Sequence, residues 1–298
     1  RRIETPSKRT QSKLSFMTPP LTIRPLTLGE VRIRPNNIAG TGTPMLWWTF
    51  TSRTWSPWLP VFGFLVEHER GTVLFDTGQS AASIDDPDYY PGGLVGLVFR
   101  RQAEFRVSVE QSLSAQLTAA GASVDDIDVV AISHLHQDHA GNVAELTGKK
   151  FLVSADELAL LDEKAPEMHG VLAEHVKVDG VEFSPVVFEP NDDPALAAFG
   201  ASFDIFDDGT LLLLPTPGHS AGSMSLLVRR EGAAPVLLVG DVTYNPDLLA
   251  KGVVPDTGAR EVQLQTARKI VALTEALPGL AVVAAHDPRV PERLAAVS

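Results

Sequence analysis

Between Ser133 and Asn142 the chain reads Ser-His-Leu-His-Gln-Asp-His-Ala-Gly-Asn, which places three imidazoles and a carboxylate within six residues. The apolar run Val129-Val130-Ala131-Ile132 comes directly before it and has the length and composition of a buried strand. His134 and His136, two residues apart, can project from one side of an extended segment. Asp138 and His139 follow as the chain turns and can face a second point close by. Imidazole nitrogens with a carboxylate oxygen suit Zn²⁺ or another first-row divalent ion, with Fe, Co and Mn as alternatives. The competing reading is a chance cluster of surface histidines, which only eight histidines in 298 residues make hard to sustain.

Three further apolar runs end in a polar residue of metal-binding type. Residues 211–214 run into Pro215-Thr216-Pro217-Gly218-His219, residues 236–240 end on Asp241, and residues 280–285 deliver His286. A single histidine after a strand is more often structural. Four strand ends carrying such residues on one pattern converge if they share an edge, where open α/β sheets place their sites. Residues 72–75 also run into Asp76-Thr77-Gly78, where Asp76 either orients a ligating histidine or caps the turn.

The rest of the chain has to position these ends. Residues 22–24 and 31–34 read as two strands flanking a turn at Gly29, and residues 61–66 and 72–75 as a hairpin. All four tryptophans lie in residues 47–58. They read either as core filler or as an aromatic wall for an apolar substrate. Residues 79–106 read as an irregular loop whose apolar half is a candidate cover over the site. Ser108 begins a capping box before a helix that Gly121 ends, and residues 260–277 have helical apolar spacing. His68, His169 and His175 read as solvated surface residues. Residues 1–20 read as a disordered tail before a single domain over residues 21–298, with Met17 a candidate initiator.

The chain has no cysteine, which excludes thiolate ligands and disulfides and fits a cytoplasmic location. A net charge of −12 opposes binding to nucleic acid or an anionic membrane, and no apolar run spans a bilayer. The expected partner is a small molecule with an apolar part; a homodimer is left open.

The order H-x-H-x-D-H, His219, Asp241, His286 resembles the metallo-β-lactamase superfamily. That resemblance implies a mixed α/β fold, a four-layer αβ/βα sandwich. It implies one metal on His134, His136 and His219, a second on Asp138, His139 and His286, and Asp241 bridging the two. Ser133-His134-Leu135-His136-Gln137-Asp138-His139-Ala140-Gly141, Thr216-Pro217-Gly218-His219-Ser220 and Asp241 with Tyr244 look most like the quorum-quenching N-acyl-homoserine lactonases. This implies a dinuclear hydrolase that opens a lactone ring by attack of a metal-bridging hydroxide. Tyr244 would stabilise the oxyanion and Asp138 would pass a proton to the leaving alkoxide. The interval between His139 and His219 is longer than in compact lactonases. The alternatives are an organophosphate or aryl-ester hydrolase, a mononuclear-iron persulfide dioxygenase, or a catalytically silent binding protein.

Overall fold

The computed structural model describes residues 21–297; the expected tail lies outside the described residues. Two sheets carry the fold. The first has the spatial order β4 (Ala103–Arg106), β1 (Thr22–Ile33), β2 (Leu59–His68), β3 (Gly71–Phe75), β5 (Val129–Ala131), β6 (Lys150–Ser154) and β7 (Glu182–Val186). The second runs β13 (Ala281–Val283), β12 (Val236–Leu238), β11 (Met224–Val228), β10 (Leu211–Pro215), β9 (Ala201–Asp204) and β8 (Glu189–Pro190).

Side-chain alternation along these strands feeds three apolar layers. Phe62, Phe64, Val73, Phe75 and Val129 of the first sheet meet Leu211, Leu213, Leu226 and Leu238 of the second. The residues between them point the other way. Leu65, Leu74 and Val130 pack on Leu113 and Leu117 of the helix Leu113–Ala119. Leu212, Leu214, Leu227 and Leu237 pack on Ala267, Ile270 and Leu273 of the helix Arg260–Ala276. Each fully buried side chain of this kind contributes about 1.5–3 kcal/mol relative to exposure. The resulting order, helix–sheet–sheet–helix, is the four-layer sandwich expected from the sequence.

Strands β3, β5, β6 and β7 are parallel neighbours, as are β12 and β13. Their carboxyl ends therefore share an edge. Two backbone bonds pin the sheets together there: Met224 N–H donates to Ser133 O and Phe62 N–H donates to Ala285 O, each at 2.9 Å.

The local structure differs from the expectation in three places, and in the first of them Ser108 caps only the 3-10 turn Val109–Gln111, the helix Leu113–Ala119 starting instead from Ser112. The two short strands around Gly29 are one strand, β1, whose pairing with β2 shifts between Thr27 and Glu30. Gly29, at φ +130°, absorbs that bulge, so the chain bends without turning back. Residues 79–106 are not irregular throughout: Gly93–Gln102 is a helix, followed by β4. Among the described residues no helix is long and apolar enough to cross a membrane.

Candidate metal centre

All seven sequence-predicted ligands meet at the shared edge. His134 and His136 leave the end of β5, and Asp138 and His139 sit in the one-turn helix Gln137–Ala140. His219 follows β10, Asp241 follows β12 and His286 follows β13. Three groups have ligand atoms within 4.8 Å of one another: His134, His136 and His219; Asp138, His139 and His286; and His134, His139 and Asp241. Asp241 lies between the first two, with Oδ1 3.2 Å from both His139 Nε2 and His286 Nε2 and Oδ2 3.5 Å from His219 Nε2.

Each imidazole is anchored through one nitrogen and presents the other to the centre. His134 Nδ1 lies 3.0 Å from Ser133 Oγ, His139 Nδ1 2.8 Å from Asp76 Oδ2, and His286 Nδ1 2.8 Å from Pro60 O. His219 Nδ1 lies 3.4 Å from Thr257 Oγ1. His136 is reversed: its Nε2 meets His169 O at 3.0 Å, so Nδ1 faces inward. Such outer partners fix tautomer and ring orientation in metal sites. The inward Nε2 atoms of His134, His139 and His286, and Asp241 Oδ1, are buried with no hydrogen-bond partner. An unpaired buried polar atom costs about 1–3 kcal/mol. Four of them aimed at one point fit a pair of divalent cations, and the donor set of imidazoles and carboxylates suits such ions.

The electrostatics divide the cluster. Burial, reinforced by the neighbouring histidines, holds His134 well below its ordinary range. Burial also pushes His219 down to about 3, with Asp241 offsetting it only in part. Burial opposes charge on His139 and His286 too, but Asp241 and its acidic neighbours outweigh it. His139 is raised well above its usual value and His286 to about 10. Asp241 is held well below the carboxylate range, because His286 and His139 overcome its burial.

A cavity of about 730 Å³ opens beside the cluster, with His136 and His219 in its wall. Met45, Leu46, Leu94, Val98 and Phe99 supply much of its apolar surface. The helix Gly93–Gln102, in the segment expected to cover the site, thus forms one wall. The tryptophans do not line it. Trp48 is buried, the Arg34 guanidinium lies 3.6 Å from the Trp55 ring centre, Arg106 stacks on Trp58, and Trp47 faces solvent. Residues 45–50 do reach the cavity, but through Met45 and Leu46.

A scan against family models matches residues 56–286 to the Metallo-beta-lactamase superfamily. The chain belongs to that superfamily. It is 27% identical over 234 residues to the N-acyl homoserine lactonase AttM of Azorhizobium caulinodans, covering 77% of this chain and 82% of that protein. It is 26% identical over 190 residues to the N-acyl homoserine lactonase AiiA of Bacillus thuringiensis subsp. kurstaki, covering 63% and 66%. A solved N-acyl homoserine lactone hydrolase with N-hexanoyl-L-homoserine at its catalytic metal center matches with a TM-score of 0.71 at 22% identity, over 92% of this chain and 96% of that one. The dizinc quorum-quenching lactonase AidC matches at 0.59 and 16%, over 90% and 88%. These structural likenesses fix the metallo-β-lactamase fold.

Within this fold, the choice left open for Asp76 is resolved. It is a buried residue at φ +62° that accepts from Ser133 N–H at 2.7 Å and Ser133 Oγ–H at 2.9 Å, and it anchors His139. Of the three histidines expected to be solvated, His169 is exposed as expected, at the cavity rim, whereas His175 and His68 are covered. His169 lines the cavity and its carbonyl meets His136; His175 stacks on Tyr89 at 4.0 Å; the His68 side chain is 5% exposed, between Phe206 and Asp208. Sequence reading also missed Glu157. This fully buried carboxylate accepts from Leu135 N–H (2.8 Å), Ser220 Oγ–H (2.5 Å) and Gly222 N–H (3.0 Å). It joins the His134–His136 loop to the His219 loop, and only its helix-cap context, Ser154-x-x-Glu157, was visible in the sequence.

Two outcomes follow. Asp241 and its acidic neighbours outweigh burial and raise both His139 and His286, so loading with Zn²⁺ should release protons. Calorimetry in buffers of different ionisation enthalpy reads this, and apparent affinity should fall as pH falls. The raised His286 value stabilises the metal-free protein fully below the unfolded value of 6.5, and that contribution is lost as pH rises through about 10. Glu157→Gln replaces one acceptor oxygen with a donor facing N–H or O–H groups. It should weaken binding of one of two Zn²⁺ ions by about 10–100-fold, read by metal competition; equal weakening of both would assign Glu157 a general structural role.

Proposed function

We propose that this protein is a dinuclear-metal hydrolase that opens the lactone ring of N-acyl homoserine lactones. The observation that carries the reading is the junction of the seven-residue cluster with an apolar cavity through His136 and His219. The AttM and AiiA lactonases to which the chain is similar act on a substrate of that shape, a polar ring on an acyl chain. Zn²⁺ is the ion that the donor set favours, and a cysteine-free chain suits the cytoplasm. Two such cations would supply Lewis acidity and a nucleophile available at neutral pH.

The chain's own groups do the rest. The apolar wall takes the acyl chain, each buried methylene contributing about 0.8 kcal/mol, and brings the ring to the cluster. Tyr244 is buried, stacks on His286 at 5.1 Å and donates its hydroxyl to Asp241 Oδ2 at 2.6 Å. Burial and then Asp241 push its pKa well above the phenol range, so the group remains a donor. Redirected to a carbonyl oxygen, that hydroxyl stabilises the negative charge developing there. Asp138 is the more accessible of the two cluster carboxylates, with its side chain 13% exposed against 3% for Asp241. It is the group we assign to carry a proton to the departing alcohol.

The test is a panel of acyl-homoserine lactones, other lactones, aryl esters and phosphotriesters on protein of measured metal content. Ring opening of the acyl lactones at two metals per chain is expected. Full activity with one metal, or turnover of phosphotriesters with lactones untouched, would overturn the reading. Tyr244→Phe keeps the ring and removes the donor, so kcat on a lactone should fall about tenfold with metal content retained, less than loss of a sole oxyanion donor costs. Unchanged kcat would remove Tyr244 from the reaction.

A further inference from the structure

Asp256 lies outside the metal cluster, yet its carboxylate gathers more donors than its place in a loop requires. Oδ2 accepts from Thr41 N–H at 2.8 Å and Asn36 Nδ2 at 3.0 Å, and Oδ1 from Gly42 N–H at 2.8 Å, with Arg260 Nη1 at 3.3 Å. Two backbone bonds run alongside: Asp256 N–H to Asn36 O at 3.0 Å and Gly40 N–H to Val254 O at 2.9 Å. The approach is tight enough to require glycine. A Cβ on Gly40 would sit 2.4 Å from Val254 O and 2.5 Å from Asp256 Oδ1. On its other side the same loop presses on a metal-ligand candidate. Thr257 Oγ1 contacts His219 Nδ1, and a Cβ on Gly258, at φ +77°, would lie 2.5 Å from His219 O.

The two segments that Asp256 joins both lead into the lining of the cavity. Residues 36–42 lead into the helix Met45–Thr51, which contributes Met45 and Leu46; the loop after Asp256 contributes Thr257, Ala259 and Val262. We propose that Asp256 is a positioning residue for substrate specificity: by clasping residues 36–42 it holds the Met45–Leu46 wall against the Thr257–Val262 wall and so sets how well a long acyl chain is gripped. This rests on the lactonase reading for the identity of the chain. Asp256 touches no reacting atom, so its effect belongs in KM for long chains.

The experiment compares wild type, Asp256→Asn and the milder Asn36→Ala as metal-loaded full-length proteins on N-butanoyl and N-decanoyl homoserine lactone, with metal content and amide hydrogen exchange over residues 45–51. Asp256→Asn should raise KM for the decanoyl substrate about tenfold, leave the butanoyl KM and both kcat values within about twofold, keep both metals and speed exchange in residues 45–51. Asn36→Ala should shift the same quantities in the same direction by less, and it carries the test if Asp256→Asn fails to fold. Equal KM changes on both substrates, a fall in kcat, or loss of metal would overturn the proposal. If the wild type opens neither lactone, the functional reading fails on its own, and exchange then decides the clasp: unchanged exchange over residues 45–51 overturns it.

Discussion

Everything at the site depends on one costly arrangement, the burial of imidazole nitrogens and a carboxylate oxygen that crowd together without a hydrogen bond between them. Left alone, such atoms favour rotation towards any available donor or acceptor. What prevents this is the anchoring of each ring from behind, by Asp76, Ser133, Pro60 O, His169 O or Thr257. The anchors come from five separate stretches of chain. The cluster is therefore a property of the folded molecule as a whole, and cations bound there stabilise the folded state by mass action. In the metal-free protein, Asp241 and its acidic neighbours raise His139 and His286, so charge on these two rings partly offsets the buried carboxylates.

The sandwich supplies those five stretches with little freedom to drift. Parallel strands place their carboxyl ends on one edge, and the bonds from Met224 N–H to Ser133 O and from Phe62 N–H to Ala285 O tie the two sheets at that edge. Glu157 adds a third tie, between the loop at Leu135 and the loop at Ser220 and Gly222. Loops that carry ligands are usually the softest part of a fold. Here the loops that carry the candidate ligands are cross-braced by buried carboxylates, Asp76 behind His139 and Glu157 between the His134–His136 and His219 loops.

The parts of this legible in the sequence were those that depend on local pattern. Apolar runs of strand length ending in His or Asp announced both the strands and the residues that the structure gathers at their ends. What escaped was whatever depends on a distant partner. A bulge at Gly29 and a turn at Gly29 share the same local signature, and only pairing with β2 separates them. Glu157 reads as an ordinary first-turn acid of a capped helix until the loops around Leu135 and Ser220 are folded onto it. His175 and His68 are polar residues in polar stretches whose rings are covered by Tyr89 and Phe206, from remote segments. The tryptophans were placed by composition, and composition does not say that arginines rather than substrate cover Trp55 and Trp58.

The cavity meets the cluster asymmetrically, and this orders the roles of its residues. Its wall includes His136 and His219 but neither Asp138 nor Tyr244. An acyl chain lying in it approaches from the histidine-rich side, where His134 and His219 are held neutral and present lone pairs. On the lactonase reading, the scissile ring at the end of that chain lies towards Asp241, whose oxygen nearest His219, Oδ2, accepts from the Tyr244 hydroxyl. Tyr244 and Asp138, the groups we assign to the carbonyl and the departing alcohol, lie outside the cavity lining, on the acidic side where Asp138 faces His286 at 3.4 Å. Recognition of the apolar tail and handling of charge are separated across one cluster.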